Sequence, residues 1–124
     1  MKELVVSKDF FITDDFSQSY KVGNLLFVSG ITARNKKGEI IETDFEAQTV
    51  RIFKNIELIL KEAGATLDDI IKFTVYLKDM NNVKLFREIR NRFCSVPRPA
   101  STAIEVTGLV PGAIVEVVAE CGGC

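Results

Sequence analysis

The sequence predicts a single α+β domain in which two helices pack on one face of a mixed β-sheet. Its 124 residues are the usual size of one domain. Two stretches with helical spacing of apolar residues alternate with shorter stretches typical of strands, in the order strands, helix, strand, helix, strands. Packing both helices on the same face of one sheet is the simplest way to bury these apolar stripes.

The N-terminal part of the chain is predicted to form a short strand followed by a β-hairpin. Leu4-Val5-Val6 is the first apolar run, and Tyr20–Val22 and Leu25–Val28 are the next two strands. Gly23-Asn24 joins them and suits a tight turn that needs positive φ. Ser29-Gly30 then ends the second strand of the hairpin.

The first helix is marked at both ends. Thr43 and Glu46 have the spacing of a capping box, and Gly64 suits the position just after the last helical turn. The apolar residues between them recur with helical spacing, which predicts one buried stripe. They are Phe45, Val50, Phe53, Ile56, Leu60 and Ala63.

The segment from 71 to 78 alternates strictly between apolar and polar residues, which predicts a strand with one buried face. The inward residues are expected to be Ile71, Phe73, Val75 and Leu77, and the outward residues Lys72, Thr74, Tyr76 and Lys78.

A second helix is predicted after this strand, with Asn81 or Asn82 as its N-cap. Pro97 and Pro99 exclude regular helix from the next segment, because proline fixes φ and lacks a backbone donor. Thr102–Val106 and Ala113–Cys121 are then expected as the last strands.

The sheet face turned away from the helices is expected to be partly apolar. It would carry Tyr76, Ile114, Glu116 and Val118, and one chain has no further element to cover it. An uncovered face of this kind favours self-association.

Composition excludes several classes of function. The net charge of −1 provides no basic field for nucleic acid, so we expect no such partner. The chain has no histidine, the commonest general base and metal ligand, and we expect neither a metal nor a cofactor. No apolar run reaches the roughly 18 residues of a membrane span.

Cysteine usage predicts a cytoplasmic protein. Three cysteines without a secretion signal indicate free thiols in a reducing compartment. Cys121 and Cys124 have CxxC spacing, but a redox pair usually needs a following helix and a zinc site needs about four ligands. A strand end and a loose tail is the simpler interpretation.

The ordered set of motifs resembles the Rid family, also known as the YjgF family. Gly23–Gly30 is similar to its glycine-asparagine, apolar, serine-glycine strand, and Val75–Asn81 is similar to its middle section. Pro99–Thr102 and Val115–Ala119 resemble its C-terminal signature. No single motif is specific, but together they span nearly the whole chain in order.

The resemblance implies a chorismate-mutase-like fold and a homotrimer with a ligand cleft at each subunit interface. Characterised members hydrolyse reactive 2-imino acids or enamines to 2-keto acids and ammonia. An arginine holds the substrate carboxylate with paired hydrogen bonds, and a glutamate with backbone groups positions the water. The partner that the resemblance implies is a small anionic metabolite.

Three of the family's cleft positions are kept in this sequence. The water-positioning glutamate falls on Glu116, and the cleft serine and glycine fall on Ser29 and Gly30. The alternative role for Glu116 is a salt bridge between subunits, because a half-buried carboxylate needs a partner. Ser29 could instead only cap the end of its strand.

Other cleft positions are changed. The family's arginine falls on Ser101, its cleft tyrosine on Phe16, and its cleft asparagine on Arg87. Arg87 or Arg98 could return an anion-binding fork, or Arg87 could belong to a solvated helix face. Ser101 and Thr102 could contact the ligand or only satisfy backbone groups after the prolines.

Three hypotheses about function therefore stay open. The leading hypothesis is an enzyme that adds water to an imine or enamine, with Glu116 positioning the water. The alternative is a non-catalytic module of the same fold that binds a small anionic metabolite. RNA binding is a third hypothesis, which the net charge of −1 disfavours.

Overall fold

The computed structural model describes residues 1–123, so the hypothesis on Cys124 lies outside the described residues. Six strands form one sheet in the order β1-β2-β3-β6-β4-β5. The pairing of β4 with β5 is parallel and the other pairings are antiparallel, so the sheet is mixed, as predicted. The strands are β1 (Glu3–Val5), β2 (Ser19–Val22), β3 (Leu25–Val28), β4 (Ile70–Leu77), β5 (Ala100–Glu105) and β6 (Val115–Gly122).

Two helices, α1 (Phe45–Glu62) and α2 (Val83–Phe93), cover one face of this sheet. The core between the layers is centred on Phe53, whose side chain is fully buried. Its ring lies edge-on to Phe73 of β4 at 5.6 Å between centroids and stacks on Phe93 of α2 at 5.0 Å. Large apolar side chains from both helices and from the central strands thus hold the two layers together.

Helix α1 begins one residue later than the capping-box spacing predicts. Asp44 is its N-cap, and the Asp44 carboxylate accepts a hydrogen bond from the Ala47 backbone N–H at 3.0 Å. The prediction of Thr43 was wrong because aspartate is at least as good a cap and stands directly before the first helical residue. Gly64 follows the helix with φ +74°, as expected for this position.

The alternation in β4 is interrupted at its start. The pairing of β4 with β6 shifts register between Ile70 and Lys72. As a result Ile70 is buried while Ile71 is 51% exposed, contrary to the prediction that Ile71 faces inward. Such a bulge adds one residue to a strand and reverses the face of the residues before it.

Helix α2 begins after a short 3₁₀ turn, Met80–Asn82. Asp79 caps this turn by accepting from the Asn81 backbone N–H at 2.9 Å. Asn82 stands at the N-cap of α2 but its side chain makes no capping hydrogen bond. The prediction of Asn82 as the N-cap position of α2 is confirmed, but the side chain that caps this end of the helix is that of Asp79, one turn earlier.

The sheet face opposite the helices is partly apolar, as the sequence predicts. Glu116 and Val118 of β6 are half-buried there, while Phe27 is 46% exposed and Ile104 is 40% exposed. This face continues to the end of β3, where the chain leaves the sheet near Glu116.

Candidate functional site

Glu116 belongs to β6 and lies beside the segment that follows β3 in the chain. Ile31 and Val117 form an isolated antiparallel bridge with two backbone hydrogen bonds, of 2.8 and 3.0 Å. This bridge brings Gly30 against the Glu116 side chain. A Cβ atom at position 30 would lie 2.9 Å from Glu116 Cδ, so only glycine leaves the carboxylate in place.

A cavity of about 280 Å³ opens at this junction. Four of the predicted site residues line it: Phe16, Ser29, Gly30 and Glu116. The other lining residues are Thr32, Arg34 and Val110. The structure therefore brings a carboxylate, a guanidinium, two hydroxyl side chains and an aromatic ring around one small volume.

The Glu116 carboxylate is half-buried and lies in the electrostatic field of Arg34. Within residues 1–123 it accepts no hydrogen bond and forms no ion pair. Burial raises its pKa above the ordinary glutamate value, and the positive charge of Arg34 partly opposes that rise. A carboxylate with a raised pKa in a cavity is typical of a group that accepts and returns a proton.

Ser29 is fixed by two contacts with the preceding loop. Its hydroxyl donates to the Ser17 carbonyl oxygen, and its backbone N–H donates to the Gln18 carbonyl oxygen at 2.9 Å. Both contacts satisfy the backbone at the end of the hairpin. Ser29 also lines the cavity, and its hydroxyl oxygen can still accept a hydrogen bond there.

The segment between β1 and β2, which carries Phe16, is held by the buried side-chain amide of Gln18. The Gln18 side chain accepts from the Ser7 N–H at 2.7 Å and donates to the carbonyl oxygens of Ser7 and Phe11 at 3.0 and 3.1 Å. Gln18 is 3% exposed, so these hydrogen bonds are shielded from water. They hold the segment that carries Phe16.

Two further amides, both from α1, fasten the other loops. Asn55 Nδ2 donates to the carbonyl oxygens of Thr32 and Arg34, at 3.1 and 2.8 Å. Gln48 Nε2 donates to the Gly112 carbonyl oxygen at 2.8 Å, and Gln48 Oε1 accepts from the Ile114 N–H at 3.1 Å. The wall of the cavity is thus attached to the core rather than loose.

The other four predicted site residues lie elsewhere in the chain. Arg87, Arg98, Ser101 and Thr102 are exposed, and we call them together the α2–β5 edge. Arg87 belongs to α2, on the sheet face opposite Glu116. The Arg98 guanidinium donates to the Cys94 carbonyl oxygen. None of the four lines the cavity within one chain.

Sequence reasoning missed Arg34, Thr32 and Val110 as lining residues. The sequence signal that could have indicated Arg34 as a lining residue was its position, four residues after Gly30. Its segment has no periodicity, so the sequence does not indicate where the side chain points. Val110 reaches the cavity only because Gln48 of α1 holds its loop.

Two negative findings apply to the described chain. In residues 1–123 no group of three or more histidine, cysteine, aspartate or glutamate side chains is placed to hold a metal ion. No helix within the same residues has the length and apolar character needed to cross a membrane.

The fold is that of a small α+β protein, and the Glu116 carboxylate lines a cavity at the edge of its sheet. The sequence profile of the family described as Endoribonuclease L-PSP matches residues 7–121. A RutC family protein of Pyrococcus abyssi is 42% identical over 103 residues, which are 82% of this chain and 81% of that protein. This chain therefore belongs to the Rid family, which includes the RutC proteins.

Two further comparisons agree with this assignment. Reactive Intermediate Deaminase A, chloroplastic, of Arabidopsis thaliana is 33% identical over 107 residues, which are 86% of this chain and 56% of the plant protein. The crystal structure of the Rid family protein YyfA from Yersinia pestis has a TM-score of 0.93 at 30% identity, and the match covers 98% of this chain and 99% of that chain. The fold predicted from the sequence is confirmed.

Proposed function

We propose that the cavity hydrolyses small imines or enamines to carbonyl compounds and ammonia. The observation that carries this proposal is the Glu116 carboxylate, which is half-buried, has a raised pKa and makes no hydrogen bond or ion pair within residues 1–123. The Arabidopsis relative, named Reactive Intermediate Deaminase A, supports the reaction class. An imine is already activated toward water, so the reaction needs orientation and proton transfer rather than a metal.

One carboxylate can carry all the proton transfers of this reaction. Water adds to the carbon of the protonated C=N bond, and Glu116 takes the proton that the water loses. Glu116 then gives this proton to the nitrogen of the carbinolamine. The C–N bond breaks, ammonia leaves, and Glu116 takes the hydroxyl proton as the carbonyl forms. Glu116 then passes this proton to the released ammonia or to water, which restores the carboxylate. Burial raises the Glu116 pKa, which favours the protonated form that donates to nitrogen.

The cavity suits a small molecule rather than a polymer. Its volume of about 280 Å³ holds a ligand of a few heavy atoms. The net charge of −1 supports the same class, because nucleic-acid binding depends mainly on neutralising phosphates with basic residues. We therefore do not transfer to this chain the endoribonuclease activity in the family description.

We also propose that three copies of the chain assemble and complete the cavity at their interfaces, in the cytoplasm. The partly apolar sheet face beside Glu116, with Phe27 46% and Ile104 40% exposed, supports such an assembly. The exposed α2–β5 edge is then available to a neighbouring cavity. Sedimentation as a stable monomer at micromolar concentration would contradict this part of the proposal.

The activity is tested by generating 2-iminobutyrate in solution and following the release of 2-oxobutyrate. We expect a rate well above buffer, and a loss of about 10²-fold or more in kcat for Glu116→Gln, since general acid–base groups contribute about 10²–10⁴-fold. Glu120→Gln is the matched control, because Glu120 is half-buried on the same face of the same strand.

Two results separate the alternatives. An unchanged rate in Glu116→Gln contradicts the proposed role of this carboxylate. No rate above buffer with the wild-type chain, together with saturable binding of small carboxylates, identifies a non-catalytic binding module instead.

A further inference from the structure

We propose that Arg34 binds the anionic group of the substrate, so that the site selects small imines that carry a carboxylate. This inference rests on the proposed function, since it assigns the substrate class of the same cavity. Arg34 and Glu116 line one cavity of about 280 Å³, with opposite charges at its wall.

The first argument is that the Arg34 guanidinium is uncommitted. Within residues 1–123 it donates no hydrogen bond and forms no ion pair. Arg51 and Arg92, in contrast, each pair with a glutamate, at 3.2 and 3.1 Å. A guanidinium offers five donors in a planar fork that matches a carboxylate with two parallel hydrogen bonds.

The second argument is that the side chain is held in place although it makes no hydrogen bond or ion pair within residues 1–123. The guanidinium carbon lies 5.2 Å from the centre of the Phe11 ring and 5.8 Å from that of Phe16. Cation–π contact with two rings orients the plane of the guanidinium and leaves its N–H groups free. Little conformational entropy then remains to be lost on binding.

The support behind Arg34 is itself fixed. Phe11 packs directly on Gly38, where a Cβ atom would lie 2.8 Å from two atoms of the ring. The Arg34 carbonyl oxygen accepts from buried Asn55 at 2.8 Å, and its backbone pairs with Ile40 across a tight turn. Both the ring and the backbone are thus anchored, as expected for a prearranged binding group.

The third argument is the match of charge. An imino acid carries a carboxylate and, when protonated, a cationic nitrogen on the adjacent carbon. With the carboxylate on Arg34, the reacting carbon and its nitrogen face the side of the cavity that carries Glu116, whose negative charge favours the protonated imine. An imine without a carboxylate gains only the interaction of its protonated nitrogen with Glu116.

This assignment answers the question raised by Ser101. The resemblance to the family implies that an arginine holds the substrate carboxylate, and serine stands at that position here. Arg34 supplies the same chemistry from the loop after β3, inside the cavity of its own chain. Neither Arg87 nor Arg98 lines that cavity.

The test compares the binding of 2-oxobutyrate, the carboxylate product, with that of 2-butanone, in which a methyl group replaces the carboxylate. Ligand-observed NMR titration gives each Kd for the wild-type chain and for Arg34→Met, Arg34→Lys and Arg51→Met. We expect Arg34→Met to raise the Kd for 2-oxobutyrate by about 10- to 100-fold, the range for a lost charge-assisted pair. Arg34→Lys should recover part of this loss, and 2-butanone binding should not change.

Arg51→Met is the matched control, because Arg51 pairs with Glu42 at the start of α1, away from the cavity. It should leave the Kd unchanged. Circular dichroism confirms that each variant is folded, and Arg34→Lys carries the test if Arg34→Met does not fold, since lysine keeps the charge without the fork.

Three results overturn the assignment. The first is a wild-type Kd that does not distinguish 2-oxobutyrate from 2-butanone. The second is an unchanged Kd in both Arg34 variants. The third is a loss in Arg87→Met or Arg98→Met alone. Because these are equilibrium measurements, a chain that binds 2-oxobutyrate through Arg34 but shows no turnover disproves the proposed reaction and leaves the Arg34 assignment standing.

Discussion

The cavity around Glu116 and the α2–β5 edge each contain four of the residues that the sequence singles out, yet they differ in how one chain arranges them. Around Glu116 the four residues line one small volume whose loops are attached to the core by buried amides. At the α2–β5 edge the four residues are exposed, and none of them lines the cavity around Glu116. One region is a site within a single chain, while the other can act only on another molecule.

Strand register explains this difference. Ser101 of β5 is paired with Phe73, whose side chain faces the helices, whereas Thr102 is paired with Thr74 on the opposite face. Glu116 shares that opposite face, in register with Tyr76. Because successive residues of a strand point to opposite faces, Ser101 and Glu116 of one chain cannot meet. A role for Ser101 in catalysis therefore requires a neighbouring subunit.

Among the substitutions that leave Glu116 and Arg34 in place, the largest effect is expected from Gly30→Ala, which tests how tightly the cavity is arranged. The added Cβ would lie 2.9 Å from Glu116 Cδ and displace the carboxylate. A shift of about 1 Å in a catalytic group can cost about 100-fold in rate, so we expect a loss of that order in kcat. The measurement is 2-oxobutyrate release from 2-iminobutyrate.

Gly108→Ala is the control for this substitution. A Cβ at Gly108 meets nothing within 4 Å, and neither glycine has positive φ, so both variants should fold. Equal activity of the two variants would show that the position of the Glu116 carboxylate does not limit the reaction.

A smaller effect is expected from restoring the family's arginine at the α2–β5 edge. If the edge of one subunit faces the cavity of the next, Ser101→Arg in an Arg34→Met background should lower the raised KM for 2-iminobutyrate. We expect KM to fall by about tenfold, because a new charge-assisted pair replaces the lost one. Ser95→Arg adds the same charge at another exposed serine and should not restore KM.

The rescue is interpreted together with the oligomeric state. A trimer in which Ser101→Arg restores nothing would show that the α2–β5 edge does not face a cavity. Rescue in a monomer would contradict the geometry, since β5 register places Ser101 on the face opposite Glu116.

The sequence predicted those features that depend on neighbouring residues. The Gly23-Asn24 turn, with Gly23 at φ +59°, and the end of α1 at Gly64 follow from local backbone preference. The errors at Thr43 and Ile71 are also local, because a better cap stands next in the chain and a bulge shifts the register. Patterns of this kind give element types well and element ends less well.

The part of the site that the sequence did not predict depends on contacts between distant segments. Arg34 belongs to the cavity because Asn55 of α1 holds its backbone and Phe11 holds its side chain. These partners lie 21 and 23 positions away in the chain, and no periodicity connects them. Glu116 was found from its resemblance to a family position, and its raised pKa follows from burial that only the fold reveals.

The smallest effect is expected on the free energy of unfolding of Glu116→Gln. It tests whether the carboxylate in the cavity destabilises the folded chain, as a carboxylate on the open surface would not. Burial raises the folded-state pKa of Glu116 above its unfolded value, so the folded chain favours the protonated carboxyl. The protonated Glu116 carboxyl therefore makes its whole contribution to stability below the pKa of glutamate in the unfolded chain, about 4.3. This contribution is lost as the pH rises through the pKa of Glu116 in the folded chain. Glu116→Gln, which cannot ionise, should be more stable than the wild-type chain at neutral pH.

The expected gain is below about 1 kcal/mol, because the carboxylate is only half-buried and solvent screens its charge. Urea unfolding at pH 7 and near pH 4 measures it, and the advantage of Glu116→Gln should shrink at the lower pH. A variant that is less stable than the wild-type chain at pH 7 would mean that Glu116 makes a stabilising salt bridge between subunits. A gain at pH 7 combined with lost turnover would instead show that the chain keeps a destabilising carboxylate for its chemistry.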